Sequence, residues 1–290
     1  MPTLQSNDLG RVIFWMTGAL LSFCAMAISI RGLAGKLNIF EILNIRSGCG
    51  VVVLVTLVVL RPELRATLVL RRMGLHALRN SVHFASQYAW ALAVTLLPLA
   101  TVFALEFTLP AWVALLAIPL LGERMTVSRA GSILLGFAGV LIILRPGLEA
   151  FRPAALLVLA CALGFAISLI TTKMLTKDVS TFAILFWMNI MQFPMALFGS
   201  DPLFLAKLGV DQIPAFLGVG ISGLASHYCL ANAFRSGDAT VVVPLDFLRI
   251  PLIALVGWLF YNEGLDVFVF VGAAVIIAGV VWNLRDEARR

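Results

Sequence analysis

The sequence predicts an all-α polytopic membrane protein: ten transmembrane helices arranged as a 5+5 inverted-topology repeat. Three observations carry that expectation. First, the 290 residues are 61% hydrophobic and only 12% charged, with a mean hydropathy of +1.02. Soluble domains carry about 25% charged residues. Second, apolar runs of helix-spanning length recur along the whole chain. Third, the chain is written twice. Ala85 opens ASQYAWA and Ala225 opens ASHYCLA; Ala100-Thr101-Val102 is matched by Ala239-Thr240-Val241, Glu106-Phe107 by Asp246-Phe247, and Glu123 by Glu263, at an offset of 139 or 140 residues.

A helix of about 20 residues crosses the ~30 Å apolar core of a bilayer. Ten such runs fall near 12–33, 39–60, 76–96, 100–121, 127–145, 153–174, 180–200, 212–233, 239–260 and 266–284. Proline, glycine and charge punctuate the connections, as in Arg61-Pro62-Glu63, Leu97-Pro98, Arg145-Pro146-Gly147 and Ser236-Gly237-Asp238. None is long enough for a soluble domain. The first eleven residues hold one arginine, one acid and no cleavage-like motif, so the first run reads as a retained helix. Cys24, Cys49, Cys161 and Cys229 all lie in apolar stretches without a CxxC pair and read as small core residues.

The net charge of +6 is no nucleic-acid footprint here; its distribution across loops matters more than its sum. One side collects fourteen cations: Arg11, Arg61, Arg65, Arg71, Arg72, Arg79, Arg124, Arg129, Lys173, Lys177, Arg235, Arg285, Arg289 and Arg290. The other collects five: Arg31, Lys36, Arg145, Arg152 and Lys207. The positive-inside rule then places both termini in the cytoplasm. Five helices per repeat is an odd number, so the second copy starts on the opposite side of the membrane. The halves are therefore expected to be inverted, with a site between them that opens to either face.

An ionisable group at membrane depth is costly unless paired or facing water. Glu106 and Asp246 occupy equivalent depths in the two repeats, and Arg249 follows Asp246 at i+3. The blander reading is a self-neutralising ion pair. The sharper one is that all three face a central cavity, binding a charged part of a solute or carrying a coupling proton. Asn80, His83 and Gln87 form one helical stripe flanked by Tyr88 and Trp90, while Ser222, Ser226, His227, Tyr228 and Asn232 line the equivalent helix. Gln87, Tyr88, His227 and Tyr228 are the secondary candidates for substrate contact, against an interhelical glue role. Arg46 is expected to turn inward to a carboxylate rather than snorkel outward. Glu41 is expected at the outer interface. Pro110 and Pro251 are near-equivalent and lie four and five residues after the paired acids, where kinks would act as hinges or fixed bends. Glu123 and Glu263 open the helices that follow them and read as structural caps or latches. Ser132, Gly136, Gly139, Gly272 and Gly279 permit close helix approach. The sequence offers no Walker loop, metal-ligand cluster or nucleophile elbow, so no cofactor, metal or enzymatic role is expected.

The run LPAWVALLAIPLLGERMTVSRAGSILLGFAGVLIILRPG, with a second copy ending LFYNEGLDVFVFVGAAVIIAGV, resembles the EamA-type branch of the drug/metabolite transporter superfamily. The resemblance spans two five-helix units, residues 11–145 and 153–285. It carries the family's glutamate to Glu123 and Glu263 and its glycines to Gly131 and Gly272, eight and nine residues on. It implies a multi-pass carrier in the bacterial inner membrane, with a cavity lined by helices 1, 3, 4, 6, 8 and 9. The region DATVVVPLDFLRIPLIALVGWLFYNE looks more like the S-adenosylmethionine and riboflavin importers than the multidrug exporters.

The expectation is then a secondary transporter of a small polar or zwitterionic organic metabolite, working by alternating access. S-adenosylmethionine, riboflavin and amino acids are the candidate solutes. Coupling protons, the lipid bilayer, and a monomeric or homodimeric state complete the expected partners. A multidrug or metabolite exporter of the same fold, and a non-transporting assembly or regulatory subunit, remain the alternatives.

Overall fold

A computed structural model describes residues 6–121, 127–144, 153–175, 178–236, 245–246 and 248–289. Among these the chain is helical, with no strand. The first repeat holds α1 (Ser6–Leu33), α2 (Ile39–Leu60), the short α3 (Pro62–Arg65), α4 (Met73–Leu96), α5 (Leu99–Glu106), α6 (Leu109–Leu121) and α7 (Val127–Leu144). The second holds α8 (Pro153–Leu175), α9 (Thr181–Phe198), α10 (Ile213–Ser236), α11 (Arg249–Tyr261) and α12 (Val267–Ala288). The weakly apolar stretch near 200–215 is a connection with two 3₁₀ turns, Phe204–Lys207 and Val210–Gln212.

Local chemistry sets the ends. Asn38 caps α2: its side chain accepts from the Glu41 N–H, and the Glu41 carboxylate accepts from the Asn38 N–H at 2.8 Å. Pro62 begins α3 where its missing N–H is harmless. Ser180 caps α9 through the Ala183 N–H. Asn262 ends α11 in the left-handed region at φ 52°. Within these limits α2 spans 22 residues, about 33 Å.

Five described helices are long and apolar enough to cross a membrane: within α1, α2, α8 and α9, and over Val210–Leu230, the second 3₁₀ turn with most of α10. Four shorter apolar helices join them, over Leu99–Val113, Ala130–Ile143, Leu252–Tyr261 and Val267–Asn283. α4 is long, but its polar stripe lowers its hydropathy, and neighbouring helices cover that stripe. The outer faces are apolar: Val59, Leu134, Phe198 and Phe260 are all exposed. In water such a surface would aggregate; in hydrocarbon it is the natural one.

Packing follows the repeat. α1 lies on α10 as α4 lies on α8; α2 meets α10 as α4 meets α9; α2 packs on α9, α5 on α11, and α7 on α12. Exchanging the two repeats leaves this pattern unchanged. The α7–α12 crossing is close. A Cβ on Gly139 would come 2.6 Å from the Gly272 carbonyl oxygen, and a Cβ on Gly272 would come equally near that of Gly139. Only glycine fits at either position.

The helix carrying Glu106 is broken, not continuous. α5 ends at Glu106, the chain turns at Phe107-Thr108, and α6 starts at Leu109. The second repeat has the same turn. Thr108 N–H donates to Leu105 O at 3.1 Å, and Leu248 N–H to Leu245 O at 3.1 Å. Pro110 and Pro251 therefore stand in the first turns of α6 and α11 instead of kinking a continuous helix. Their missing N–H groups cost little there, because a first turn has no intrahelical acceptor for them. Pro119 and Pro194 do lie inside helices.

Candidate functional site

The two turns bring the symmetric acids together. Glu106 is the last residue of α5, and Asp246 lies just ahead of the Leu248 turn. Arg249, the first residue of α11, reaches both: Nη2 is 2.5 Å from Asp246 Oδ2, and Nη1 is 3.6 Å from Glu106 Oε1. Trp90 Nε1 donates to Glu106 Oε2 at 2.8 Å. Three phenylalanines box the guanidinium. Phe23 of α1 lies 4.3 Å from it, Phe107 5.1 Å and Phe103 5.5 Å. Such rings favour a cation on their faces and exclude water. With both acids ionised, the cluster carries one net negative charge.

Phe23 also separates this cluster from a second one, its ring packing edge-on against His227 at 6.3 Å between centroids. There Arg46 Nη1 donates to Gln87 Oε1 at 3.0 Å, and Nη2 lies 3.2 Å from His227 Nε2. His83 stands 6.5 Å from His227 and is bonded through Nδ1 to Gln192 Nε2 at 2.9 Å. Gln192 also donates to Asn80 O, and Arg79 bonds Asn80 Oδ1 at 2.7 Å and Thr172 Oγ1 at 3.1 Å. The result is a polar seam running across α2, α4, α8, α9 and α10. Its charged members are both arginines.

α4 supplies much of both clusters because Asn80, His83, Gln87 and Trp90 follow at i, i+3, i+7 and i+10, one helical face. Tyr88 is a quarter-turn away and packs on Phe40 at 4.8 Å. Tyr228 turns outward, 62% exposed, against Trp15. Of the expected contacts, the structure joins Glu106, Asp246 and Arg249, joins Gln87 and His227 through Arg46, and leaves both tyrosines aside.

Arg46 turns inward, but to Gln87 and His227 and not to a carboxylate. The nearest acid on its own helix, Glu41, is engaged elsewhere. It is buried and holds the Asn38 and Asp201 N–H groups and Lys207 Nζ. Trp90, Phe23, Arg79 and Gln192 were not singled out from sequence as contacts. The stripe through His83 and Gln87 does extend back one turn to Arg79, a signal available in the sequence; Phe23 had none.

Glu263 does not open α12, which starts four residues later. It caps α5 instead, accepting the Leu99 N–H at 2.9 Å. It also pairs with Arg31 at the end of α1. Arg31 in turn bonds the carbonyls of Val94 and Leu97 and lies 4.8 Å over the Tyr261 ring. This is a latch joining α1, α4, α5 and α11. Glu123 lies outside the described residues. An apolar recess between α4 and α9 is lined by Ala77, Met191, Pro194 and Phe198, away from both charged clusters. Among the described residues no His, Cys, Asp and Glu group could hold a metal.

The EamA-like transporter family model matches residues 10–145 and 152–285, nearly the whole chain in two copies. The chain belongs to the EamA-like transporter family. It is similar to a riboflavin transporter of Rhizobium johnstonii, 31% identical over 236 residues, 76% of this chain and 76% of that one. It is also similar to an S-adenosylmethionine uptake transporter of Rickettsia bellii, 26% identical, covering 99% and 97% of the two chains. A solved crystal structure superposes with a TM-score of 0.63 at 18% identity over 97% of this chain and 98% of that one, and it shares the fold. As an EamA-like membrane protein, the chain is a small-metabolite transporter.

Proposed function

We propose that this transporter moves a small polar or zwitterionic organic metabolite across the bacterial inner membrane by alternating access. In this reading it is a ten-helix carrier of two inverted five-helix units, 11–145 and 153–285, with both termini in the cytoplasm. One observation carries it. The acids that the repeats place at equivalent positions, Glu106 and Asp246, converge on the single guanidinium of Arg249. The turns at 107–108 and 248 put broken helix ends beside them, the arrangement by which carriers build a midplane site. The bias of loop cations supports the orientation, and it persists when Arg79, buried in α4, is taken out of the count.

Glu106, Asp246 and Arg249 are the charged contacts of the solute in this reading, with Gln87 and His227 beyond Phe23. The S-adenosylmethionine and riboflavin transporters among its relatives support a substrate of metabolite size. The test is a thermal-shift screen of the purified protein against amino acids, S-adenosylmethionine, riboflavin and nucleosides. Uptake into proteoliposomes, with and without a proton gradient, then follows. Saturable uptake of at least one solute is expected, reduced by E106Q and D246N. Uptake unchanged by the gradient excludes proton coupling; no uptake of any solute contradicts the carrier.

A further inference from the structure

Among the described residues, Arg46 and Arg79 are buried cations that no acid pairs with. They are 5% and 7% exposed. Their hydrogen-bond partners are neutral: Gln87, His227, Asn80 and Thr172. Other arginines of this protein are treated differently. Arg249 has two carboxylates, Arg31 has Glu263, and Arg72 has Asp178 at 2.7 Å. Neutral groups join the two: Arg79 bonds Asn80, whose carbonyl accepts from Gln192, and Gln192 bonds His83, which stands 6.5 Å from the His227 that meets Arg46.

An unpaired charge in a protein interior is costly, and two like charges add repulsion. Such a seam persists when a counter-charge arrives during the working cycle. Arg46 is shaped to receive one. Its Nε is buried without a partner, as is Ser222 Oγ on α10. The next residue of α10, Gly223, leaves the room the stem needs: a Cβ there would come 2.8 Å from Arg46 Cγ and 3.1 Å from Nε. The neutral bonds of Nη1 and Nη2 exchange readily for a carboxylate, which a guanidinium fork binds through two parallel hydrogen bonds.

We propose that Arg46 and Arg79, with Gln87 and His227, form the subsite for the carboxylate of a zwitterionic solute whose cationic end lies toward Glu106 and Asp246. This rests on the carrier reading above. The two charged clusters have complementary net signs, +2 and −1, and one ring, Phe23, lies between them. A solute with an anion at one end and a cation at the other matches that dipole.

The test uses purified full-length protein and proteoliposomes. The probes are S-adenosylmethionine and L-phenylalanine, each beside its decarboxylated analogue, together with riboflavin. Wild-type protein is expected to bind at least one carboxylate-bearing probe tenfold or more tightly than its analogue. R46Q and R79Q are expected to remove that preference while leaving the analogue's affinity unchanged. The ligand-free Tm of R46Q is expected to equal or exceed that of wild type, because an unpaired buried charge has gone. Equal affinity for both carboxylate-bearing probes and their analogues overturns the subsite, as does a fall of several degrees in the ligand-free Tm of R46Q. Uptake of riboflavin alone, which has no anionic group, overturns the subsite and leaves the carrier standing. No uptake of any probe or screened solute overturns both.

Discussion

Glu106 and Arg249, from different repeats, meet at 3.6 Å at the junction of α5 and α11. Arg249 is the more committed partner, since it also bonds Asp246 at 2.5 Å. Removing it leaves two acids in an aromatic box with no cation. R249Q is expected to destabilise the protein by about 3–5 kcal/mol, the usual cost of breaking a buried pair from one side. Adding E106Q to R249Q should recover part of that loss. Thermal denaturation of the single and double variants checks this; a double variant less stable than R249Q contradicts it.

The Arg31–Glu263 latch ties α1 to α4, α5 and α11 on one face of the bundle. A carrier that opens on that face must release it. In a background lacking the four native cysteines, a reducible thiol-to-thiol cross-linker joining R31C and E263C should stop transport, and reductant should restore it. Transport that continues with the crosslink formed shows that the latch does not open.

At the N-terminal end of α2, Lys207 Nζ lies 2.8 Å from Glu41 and 3.0 Å from Asp201. Hydrogen bonds to Glu41 and then Asp201 push Lys207 above its ordinary pKa. The Leu203 N–H, then Lys207, hold Asp201 below its own. A raised lysine stabilises fully below its unfolded value, about 10, and this is lost as pH rises through the folded value. A depressed aspartate stabilises above its unfolded value, about 4, and this is lost as pH falls through the folded one. The contact is therefore constant between about pH 5 and pH 9. K207A should lower Tm slightly and equally across that window, because these groups face water. A K207A effect that varies within it contradicts the assignment.

Gly139 and Gly272 meet backbone to backbone, so neither neighbour can move aside like a side chain. G139V is expected to cost about 1–3 kcal/mol or more, by forcing α7 and α12 apart. G136V, whose added Cβ would meet only Ala111 at 3.2 Å, should cost less. Equal effects of the two would contradict the close crossing.

Most of the helical fold was legible because membrane-spanning helices need long apolar runs, and because duplication exposes equivalent positions. Glu106 and Asp246 stood out for the same reason: charge at depth is rare, and rarer still in symmetric pairs. The turns at Phe107-Thr108 and Leu248 were not legible, since proline marks a break only to within a few residues. Tyr88 and Tyr228 lie apart from both clusters because equivalent position does not fix facing; they are neighbours of Gln87 and His227 on helices whose other side meets different surroundings. Arg46 was read correctly as turning inward, but its partner was not, because finding the absence of a carboxylate requires knowing every side chain around it. Phe23 carried no signal: an aromatic residue in an apolar helix is ordinary until two charged clusters are seen on either side of it.

The most direct test of the central claim is two-sided accessibility of the paired acids. In a cysteine-free background, E106C and D246C would be labelled by a membrane-impermeant thiol reagent added to either face of sealed vesicles. Alternating access predicts labelling from both faces, slowed by a transported solute. Positions that stay unlabelled from both faces in every condition, or that react from one face alone, would contradict it.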